Sequence, residues 1–453
     1  MINARHFRLT RGLRVALAAA AGIAAAASVA CKDFLKVQDP GRFASEALDN
    51  QAVLVAVGNG VEGQFQQVYD DVVVFTGLLS DELINSSTWI DWADVSTGRL
   101  RGDWATAPGF AGTQDELLRA RFSAQDASDR FIRVLGADAA NKSRLMAQVK
   151  VYEAWTDLVL GMAYCESPLV RNGPRAPDVE LYKQAVQKFT AALGIAQAAP
   201  AATGNETNWI SFALAGRARA NLLAGNYDAA LADAQAVPAG FIKQAVYSEN
   251  SATTFPGNQL HYNRNRSGGL HSLYWASVDT SNSASSAPVQ YVKDPWTGQI
   301  DLRMAVSHKS GTNALGVNNA TLHYAIQKYS DRTNPITLTS KREMNLIEAE
   351  VYWRKNDLAN AISALNRDRT AAPANLPAFV ATGLTANEVR DRLLSERFAE
   401  LFVEGHRMTD LDRFGLVTSR LGTGRARKLP MSRTEILNNA SMQQGQAACP
   451  AIS

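Results

Sequence analysis

The feature of this sequence that most restricts its fold is a helical spacing of apolar residues, interrupted by very short turns. Residues 209–236 carry small and apolar side chains at this spacing on both sides of Gly225-Asn226. Residues 344–365 repeat the arrangement around Lys355-Asn356-Asp357. Short turns and small residues let consecutive helices pack closely as a hairpin. The sequence therefore predicts a mostly α fold that contains helical hairpins.

The helical spacing also predicts where the helices lie along the chain. They are expected at 46–70, 114–135, 142–163, 179–198, 208–223, 227–236, 342–354, 357–369, 385–403 and 406–414. In one hairpin, Ala215, Ala218, Ala220 and Leu222 are expected to face Ala229, Ala230 and Leu231. The hairpins, at about 142–236 and 342–414, resemble tetratricopeptide hairpins, but their irregular spacing predicts no continuous array.

Two segments interrupt the helical pattern, about 80–113 and 238–340. Both are rich in Ser, Thr, Asn and Gly, and both contain aromatic residues. Alternating side chains predict short strands at 289–292 and 322–328, and 294–298 is typical of a turn. Long segments of this kind in a compact protein are usually functional. We therefore expect the ligand-binding residues, if there are any, in these two excursions.

The N-terminal segment has the pattern of an export signal. Arg5, Arg8, Arg11 and Arg14 precede an apolar run, 15–30, that is too short to span a bilayer comfortably, and Cys31 follows it. The whole chain has 46 basic and 43 acidic side chains, so without these four arginines 42 basic side chains remain and nearly balance the acidic ones. No basic surface typical of nucleic-acid binding remains. We therefore predict a signal peptide over 1–30.

The residues around Cys31 indicate how the exported chain is attached. Ser28-Val29-Ala30-Cys31 resembles a bacterial lipobox, with Ser28 where Leu is preferred. The resemblance implies that Cys31 is lipidated and that the acyl chains anchor the protein in a membrane. Cys165 and Cys449 then remain as a candidate disulfide in an exported chain, with two unpaired thiols as the alternative.

Motifs for catalysis, metals and cofactors are weak in this chain. Gly58-Asn59-Gly60-Val61-Glu62-Gly63 matches the dinucleotide-binding pattern, but no further strand and helix units follow that would build the sheet. The same residues fit a helix that is interrupted by glycine. Histidines occur singly, and no hydrolase or metal-binding spacing is present. We predict no cofactor, no metal site and no catalytic residue.

The segment with the densest charge is 395–413. On a continuous helix, Arg397 would lie over Glu400 and Arg407 over Asp410, at spacings of three residues. No nucleophile or orienting group is spaced with Glu404 and His406. This pattern favours a role in locking helices together over a role in chemistry.

The same segment carries a resemblance to a known family. Glu396-Arg397-Phe398-Ala399-Glu400-Leu401-Phe402-Val403-Glu404-Gly405-His406-Arg407, followed by Asp410-Leu411 and Arg413, resembles the signature of SusD/RagB-type surface lipoproteins. Further segments agree with the family in the same order along the chain. They are Cys31 to Val37, Lys328-Tyr329, Arg342 to Glu350, Asn366 with Arg369, and a degraded tail motif from Leu429 to Asn438.

The resemblance implies a fold and a function. It implies a single SusD-like domain over 31–453, mostly helical, tethered on the outer face of an outer membrane. Such proteins cap a SusC-like TonB-dependent transporter barrel, capture a glycan or peptide, and catalyse no reaction. The helical hairpins are expected at the barrel contact and the two excursions at the ligand.

The tryptophans of the excursions are the candidate ligand-binding residues, because flat aromatic faces suit sugar rings and an indole N–H can donate to a hydroxyl. They are Trp89, Trp92, Trp104, Trp275 and Trp296, whereas Trp155, Trp209 and Trp353 lie in helices and are expected in the core. These rings could equally pin loops to the helical body.

Two other functions remain open. One is an exported protein-binding scaffold, whose aromatic residues would be dispersed and buried. The other is a secreted glycosidase, which needs two carboxylates facing each other across a cleft.

Overall fold

The computed structural model describes residues 45–100, 108–202, 207–248, 257–263, 267–281, 289–308 and 314–442. Residues 45–49, with the short 3₁₀ helix Ser45–Leu48, belong to an N-terminal unit, and the chain from Asn50 onward forms a second compact unit. The predicted signal peptide, Cys31, Trp104 and Cys449 lie outside the described residues.

Helices make up most of this unit. They are α1 (Leu54–Leu79), α2 (Ile90–Thr97), α3 (Pro108–Leu135), α4 (Ala137–Ala140), α5 (Arg144–Ala163), α6 (Asp178–Ala198), α7 (Trp209–Leu223), α8 (Tyr227–Ala236), α9 (Gln259–Asn263), α10 (Lys341–Arg354), α11 (Leu358–Arg369), α12 (Ala386–Glu400), α13 (Arg407–Arg413), α14 (Val417–Leu421) and α15 (Arg433–Asn438). Short 3₁₀ helices are Gln51–Val53, Ser272–Ser277 and Ala440–Met442. The predicted mostly α fold is confirmed.

The strands are short and pair antiparallel. They are β1 (Leu83–Asn85), β2 (Glu166–Pro168), β3 (Arg175–Pro177), β4 (Ile242–Ala245), β5 (Gly268–Leu270), β6 (Gln290–Lys293), β7 (Ile300–Ser307), β8 (Ala325–Ile326) and β9 (Ile336–Ser340). They pair as β1 with β5, β2 with β3, β4 with β9, and in the order β6-β7-β8. Because β4 pairs with β9, the excursion begins and ends at neighbouring strands, which returns the chain to the helical body.

The predicted hairpin around Gly225-Asn226 is present as α7 and α8. Gly225 has a φ of +82°, a conformation in which glycine lacks the steric cost of a side chain. Ala215, Ala218 and Ala230 are fully buried between the two helices, in a cluster shared with α10. Small side chains permit this close packing. One predicted contact is wrong, because Ala229 is exposed and Ala234 takes its place further along α8.

The hairpin α10–α11 is joined to α7 by a buried ion pair. Arg219 of α7 donates from Nε and Nη2 to the two carboxylate oxygens of Glu343 in α10, both at 2.6 Å. The guanidinium also lies 4.7 Å from the ring centroid of Trp155 in α5. Since a buried charge needs a partner to offset its lost hydration, this pairing holds the two hairpins in one relative position.

The largest part of the core lies between α1, α5, α6 and α7. Trp155 is fully buried, stacks on Phe212 with ring centroids 5.0 Å apart, and meets Phe189 edge-on at 5.6 Å. Trp209 is also buried and Trp353 partly so, which agrees with their expected core positions. Cys165, directly after α5, is disulfide-bonded. Its partner lies outside the described residues, so the pairing with Cys449 stays a prediction.

The first helix differs from its predicted bounds. It spans Leu54–Leu79 rather than 46–70, and the segment Gly58 to Gly63 lies inside it. The dinucleotide-like pattern therefore belongs to a helix with no strand before it, as the interpretation of an interrupted helix requires. The predicted irregular segment 80–113 is also partly wrong, because it contains α2 and the first turn of α3.

The charged segment 395–413 is locked by distant partners rather than by the predicted pairs along one helix. The predicted helix 385–403 ends at Glu400, because Val403 and Gly405 have positive φ values of 49° and 81°. Arg397 therefore reaches across to Asp410 of α13, with Nε to Oδ2 at 2.8 Å. Both side chains are buried, so this ion pair holds two helices together and does not lie along a single helix.

The same segment is tied to α11 and β7. Glu396 accepts hydrogen bonds from Arg369 at 2.5 Å and from Arg303 at 2.8 Å. Glu400 pairs with Arg303 at 3.3 Å and with Arg342 of α10 at 3.2 Å. Arg342, Arg369, Glu396 and Glu400, four of the residues that carry the family resemblance, thus meet in one network.

The turn between α12 and α13 is held from several sides. Tyr329 donates its hydroxyl to the carbonyl of Val403 at 3.1 Å, and Tyr69 donates to the carbonyl of Glu404 at 3.0 Å. Lys328 donates to the carbonyl of Phe402 at 2.9 Å. These bonds satisfy the carbonyls of a buried non-helical turn, which would otherwise lose their hydration without compensation.

We expect Gly216→Ala to lower the free energy of unfolding by about 1–3 kcal/mol, through overpacking. A Cβ at Gly216 in α7 would lie 2.2 Å from Cζ of the fully buried Phe189. Gly194→Ala in α6 is the matched control, because nothing lies within 4 Å of that position and alanine favours helices. Urea denaturation of both variants tests this, and equal stability of the two would contradict the packing.

Candidate functional site

The pairing of β1 with β5 brings three distant parts of the chain together. Leu83 lies opposite Leu270, and Asn85 lies opposite Gly268. Beyond this ladder, Ser86 donates from its backbone N–H to the carbonyl of Ser267 at 2.9 Å and accepts from the N–H of Asn318 at 3.0 Å. The residues that follow β1 are therefore held against 267–270 and 314–324, so the two predicted excursions meet here.

Trp89 is presented to solvent by a tight turn. Asn85 Oδ1 accepts the N–H of Ser87 at 3.0 Å, and Ser87 Oγ accepts the N–H of Trp89 at 3.1 Å. Trp89 is 50% exposed, whereas Trp92 is only 7% exposed. The two rings meet edge-on at 4.9 Å, and Trp92 also packs against Phe75 of α1. Trp92 therefore connects Trp89 to α1 through ring contacts.

Trp275 belongs to a second aromatic group. Its ring stacks on Tyr324 with centroids 5.5 Å apart, and Tyr324 stacks on His308 at 3.9 Å. The indole N–H donates to the carbonyl of Leu270 at 2.8 Å. That bond already uses the only donor of the ring, so Trp275 can offer a ligand its aromatic surface but no hydrogen bond.

One side-chain contact connects the two aromatic groups. Ser86 Oγ and His323 Nδ1 are 3.0 Å apart. Ser86 lies three residues before Trp89, and His323 precedes Tyr324. We call Trp89, Trp92, Trp275, Tyr324 and His308 together the aromatic face. Trp89 is its most exposed ring, Trp275 and His308 are partly buried, and Trp92 and Tyr324 are buried. An exposed indole offers a flat apolar face and an N–H donor, a combination that suits a sugar ring.

Two members of the aromatic face were not predicted from the sequence. His308 is a single histidine, a type of residue that is usually structural, and Tyr324 lies in a predicted strand. Their stacking depends on the position of the chain near β5, where the N–H of Leu270 donates to the carbonyl of Tyr324 at 2.9 Å. No spacing along the sequence reports this pairing.

The other candidate tryptophans are not part of this face. Trp296 lies in the turn between β6 and β7, where it meets Phe379 edge-on at 6.2 Å and the guanidinium of Arg392 at 4.4 Å. Trp104 lies outside the described residues. The predicted set therefore divides into the aromatic face and a separate position at Trp296.

A buried ion pair between Arg407 and Asp81 holds the aromatic face in place. Arg407 donates from Nε to Oδ1 of Asp81 at 2.6 Å and from Nη2 to Oδ2 at 2.8 Å. Tyr274, next to Trp275, donates to the same carboxylate at 2.9 Å. Burial raises the pKa of Asp81, but Arg407 and the hydrogen bonds outweigh it and hold the pKa at about 2. The carboxylate thus stays ionised as a structural anchor.

Glu82 is the neighbouring carboxyl group and has a different environment. Its Oε1 accepts the N–H of Val403 at 2.8 Å. Burial raises the pKa of Glu82 to about 8, although the Val403 N–H and the charge of Arg407 favour the ionised form. Glu82 therefore joins the start of β1 to the turn between α12 and α13, and its carboxyl group is protonated at neutral pH.

Other chemistry finds little support among the described residues. Within the ranges that the structure covers, no cluster of three or more His, Cys, Asp or Glu side chains is arranged to hold a metal ion. The carboxylates of Asp294, Asp301 and Glu396, which line a nearby cavity, are all engaged by Arg303 or Arg369. In the same ranges, no helix is both long and apolar enough for a membrane crossing.

Comparison with known proteins places this fold. A sequence model of the SusD family matches residues 253–448. A SusD superfamily protein from Bacteroides vulgatus has 15% identity and a TM-score of 0.60, over 85% of this chain and 98% of that one. A SusD-like protein from Bacteroides fragilis has 13% identity and a TM-score of 0.64, over 87% and 96%.

A third solved structure, described as a laminarin-binding SusD-like protein, has 17% identity and a TM-score of 0.57. The match covers 88% of this chain and 99% of that one. Among curated protein sequences, none matches this chain. The structural likenesses show the fold, and the family model covers the segment that contains the charged signature.

We expect Glu82→Gln to reduce the dependence of stability on pH. The ordinary pKa of Glu82 is 4.5 and its folded pKa is about 8, so the folded chain holds this proton more tightly than the unfolded chain. The contribution is therefore fully present below about pH 4.5 and is lost as the pH rises through 8, on the order of a few kcal/mol. The amide of the variant keeps an acceptor for the N–H of Val403 and removes this loss.

Urea unfolding at pH 5 and pH 8 measures this effect. The wild type is expected to lose more stability than Glu82→Gln between these two values. Asp71 and Asp368, whose pKa values burial raises to about 7, contribute a loss of the same sign that remains in the variant. Glu180→Gln, at an exposed position of α6, is the matched control. Identical pH profiles for wild type and Glu82→Gln would contradict the buried carboxyl.

Proposed function

We propose that the chain is a member of the SusD family, whose sequence model matches residues 253–448, and that it is a substrate-binding lipoprotein that captures a glycan at a cell surface. In this proposal, Cys31 carries the lipid anchor in the outer membrane. The bound glycan is delivered to a SusC-like TonB-dependent transporter. The protein itself catalyses no reaction.

The observation that carries this proposal is the aromatic face. Trp89 leaves half of its surface exposed, and the neighbouring Ile90 is 73% exposed. A large ring held rigidly at the surface loses little conformational entropy on binding, which favours ligand capture. Trp275 and His308, both partly exposed, each stack on Tyr324, and the contact of Ser86 with His323 links them to the turn that carries Trp89. A glycan is favoured over a peptide because flat aromatic rings suit the apolar faces of sugar rings.

The laminarin-binding SusD-like structure lends separate support, since a protein of the same fold binds a glycan. A protein-binding scaffold predicts aromatic residues that are dispersed and buried, and the exposure of Trp89 favours a ligand surface instead. A glycosidase needs two carboxylates free for acid and base roles. Asp294, Asp301 and Glu396 are held by arginines, which favours binding over hydrolysis.

We expect Trp89→Ala to weaken glycan binding by about fivefold or more, since the contact of one aromatic ring is worth about 1 kcal/mol or more. Affinity electrophoresis in gels that contain laminarin, starch, xylan or mannan measures retention of the mature chain. Leu437→Ala is a matched control, because Leu437 is 58% exposed and lies in α15. Retention of Trp89→Ala equal to wild type on every retarding polysaccharide would sink the role of the aromatic face.

The partner and the anchor are tested in native membranes. We expect a tagged chain to recover a TonB-dependent barrel from detergent-solubilised membranes at a fixed stoichiometry, as judged by mass spectrometry. Cys31→Ser is expected to move the protein from the membrane fraction to the soluble fraction. Recovery of soluble periplasmic proteins without a barrel would favour the scaffold instead.

A further inference from the structure

A cavity of about 440 Å³ is lined in part by Leu273, Tyr274 and Ser277 of the 3₁₀ helix Ser272–Ser277. Tyr274 of this helix, Trp296 of the turn between β6 and β7, and Phe398 of α12 contribute to its wall. Its volume falls within the range of small-molecule sites in proteins. The cavity uses none of the residues of the aromatic face.

The wall of this cavity is preorganised by the turn that carries Trp296. Asp294 Oδ2 accepts the N–H of Thr297 at 2.9 Å and its hydroxyl at 2.7 Å. Arg369 pairs with both oxygens of the Asp294 carboxylate, at 3.0 and 2.8 Å. The turn is therefore fixed to α11, and a ligand would not have to order it.

Trp296 is the aromatic surface that this cavity offers. The side chain is 40% exposed although its neighbours Phe379 and Arg392 cover part of the ring. Tyr274, which also lines the cavity, stacks on Phe398 with ring centroids 4.4 Å apart, and its hydroxyl is bonded to Asp81. The cavity is thus lined by one partly exposed ring and by an aromatic pair that is held in place.

The charges of the wall indicate the charge of the ligand. Carboxylates and cationic side chains line the cavity in equal number. The buried ones are held in ion pairs: Arg303 pairs with Asp301 and Glu396 of the wall, and Arg407 pairs with Asp81 outside it. An ion would gain little here and would lose its hydration. A neutral molecule with several hydroxyl groups can both donate to and accept from such a wall.

We propose that this cavity binds a neutral sugar unit, with Trp296 as its aromatic surface, as a second site beside the aromatic face. Ser395 of α12, which is partly buried and lines the cavity, supplies a hydroxyl for hydrogen bonding. The inference deepens the proposed function and rests on it for the class of ligand. Two sites on one chain would hold an extended glycan by more than one contact, which raises its overall affinity.

The test uses the mature chain and the disaccharides maltose, cellobiose, laminaribiose and mannobiose as probes, with binding measured by calorimetry. We expect at least one of them to bind wild type and Trp89→Ala alike, and to bind Trp296→Ala at least about tenfold more weakly. Trp296→Phe keeps a ring and is expected to recover part of the affinity. Ser395→Leu fills the cavity and is expected to abolish this binding, which keeps the test valid if Trp296→Ala is unstable.

Thermal unfolding confirms that each variant is folded before its affinity is compared. The inference is overturned if none of the four disaccharides binds the wild type, or if those that bind are unaffected by both Trp296→Ala and Ser395→Leu. Polysaccharide retention that depends on Trp89 would in that case still stand. Loss of the Trp89 effect with a retained Trp296 effect would instead reject the aromatic face and keep the cavity.

Discussion

The rest of the structure depends on the buried ion pairs around the turn between α12 and α13. Arg407 binds Asp81 behind β1, and Arg397 binds Asp410 across that turn. Taking such charges out of water is costly, and the loss of one partner leaves the other buried and uncompensated. Each pair therefore penalises any arrangement of the elements other than the observed one. The charged signature is in this sense a structural device, since its charged side chains are paired with buried partners from several elements.

Both proposed binding surfaces are connected to these buried ion pairs. Asp81 and Glu82 directly precede β1, which leads to Trp89, and the N–H of His271 at the start of the 3₁₀ helix donates to the carbonyl of Glu82 at 3.0 Å. The same helix carries Tyr274 toward the cavity and Trp275 toward Tyr324. A shift at Asp81 would therefore move the aromatic face and the cavity together. Rigid placement suits recognition by ring stacking, which depends on orientation more than on charge.

The mutual pairing of the buried charges in the cavity wall and the flat rings of the aromatic face fit the same kind of ligand. Each contact with a sugar ring is modest, so useful affinity arises from several contacts along one chain. A protein that must pass its ligand on is served by contacts that are individually weak. The hairpins α7–α8 and α10–α11 contribute no residue to the cavity wall or to the aromatic face, which leaves them available for the contact with a transporter that we propose.

Much of the helical body could be read from residue spacing, because amphipathic helices and short turns are local. The hairpins around Gly225 and Asn356 lie within one or two residues of their predicted bounds, since a glycine or asparagine with positive φ ends a helix wherever it occurs. The end of α12 was missed for the opposite reason. Val403 is an unusual residue for that conformation, and only its bonds to Glu82 and Tyr329 explain it.

The candidate site was predictable in composition but not in assembly. Five tryptophans in irregular segments could be named, yet the burial of Trp92 under Trp89 and the separation of Trp296 follow from strand pairing and ion pairs between distant segments. His308 and Tyr324 entered the site in the same way. Local periodicity specifies which segments are helical because the hydrogen bonds of a helix lie within it. Partners for a ring or a buried charge are chosen by the packing of the whole chain, and only the tertiary structure decides them.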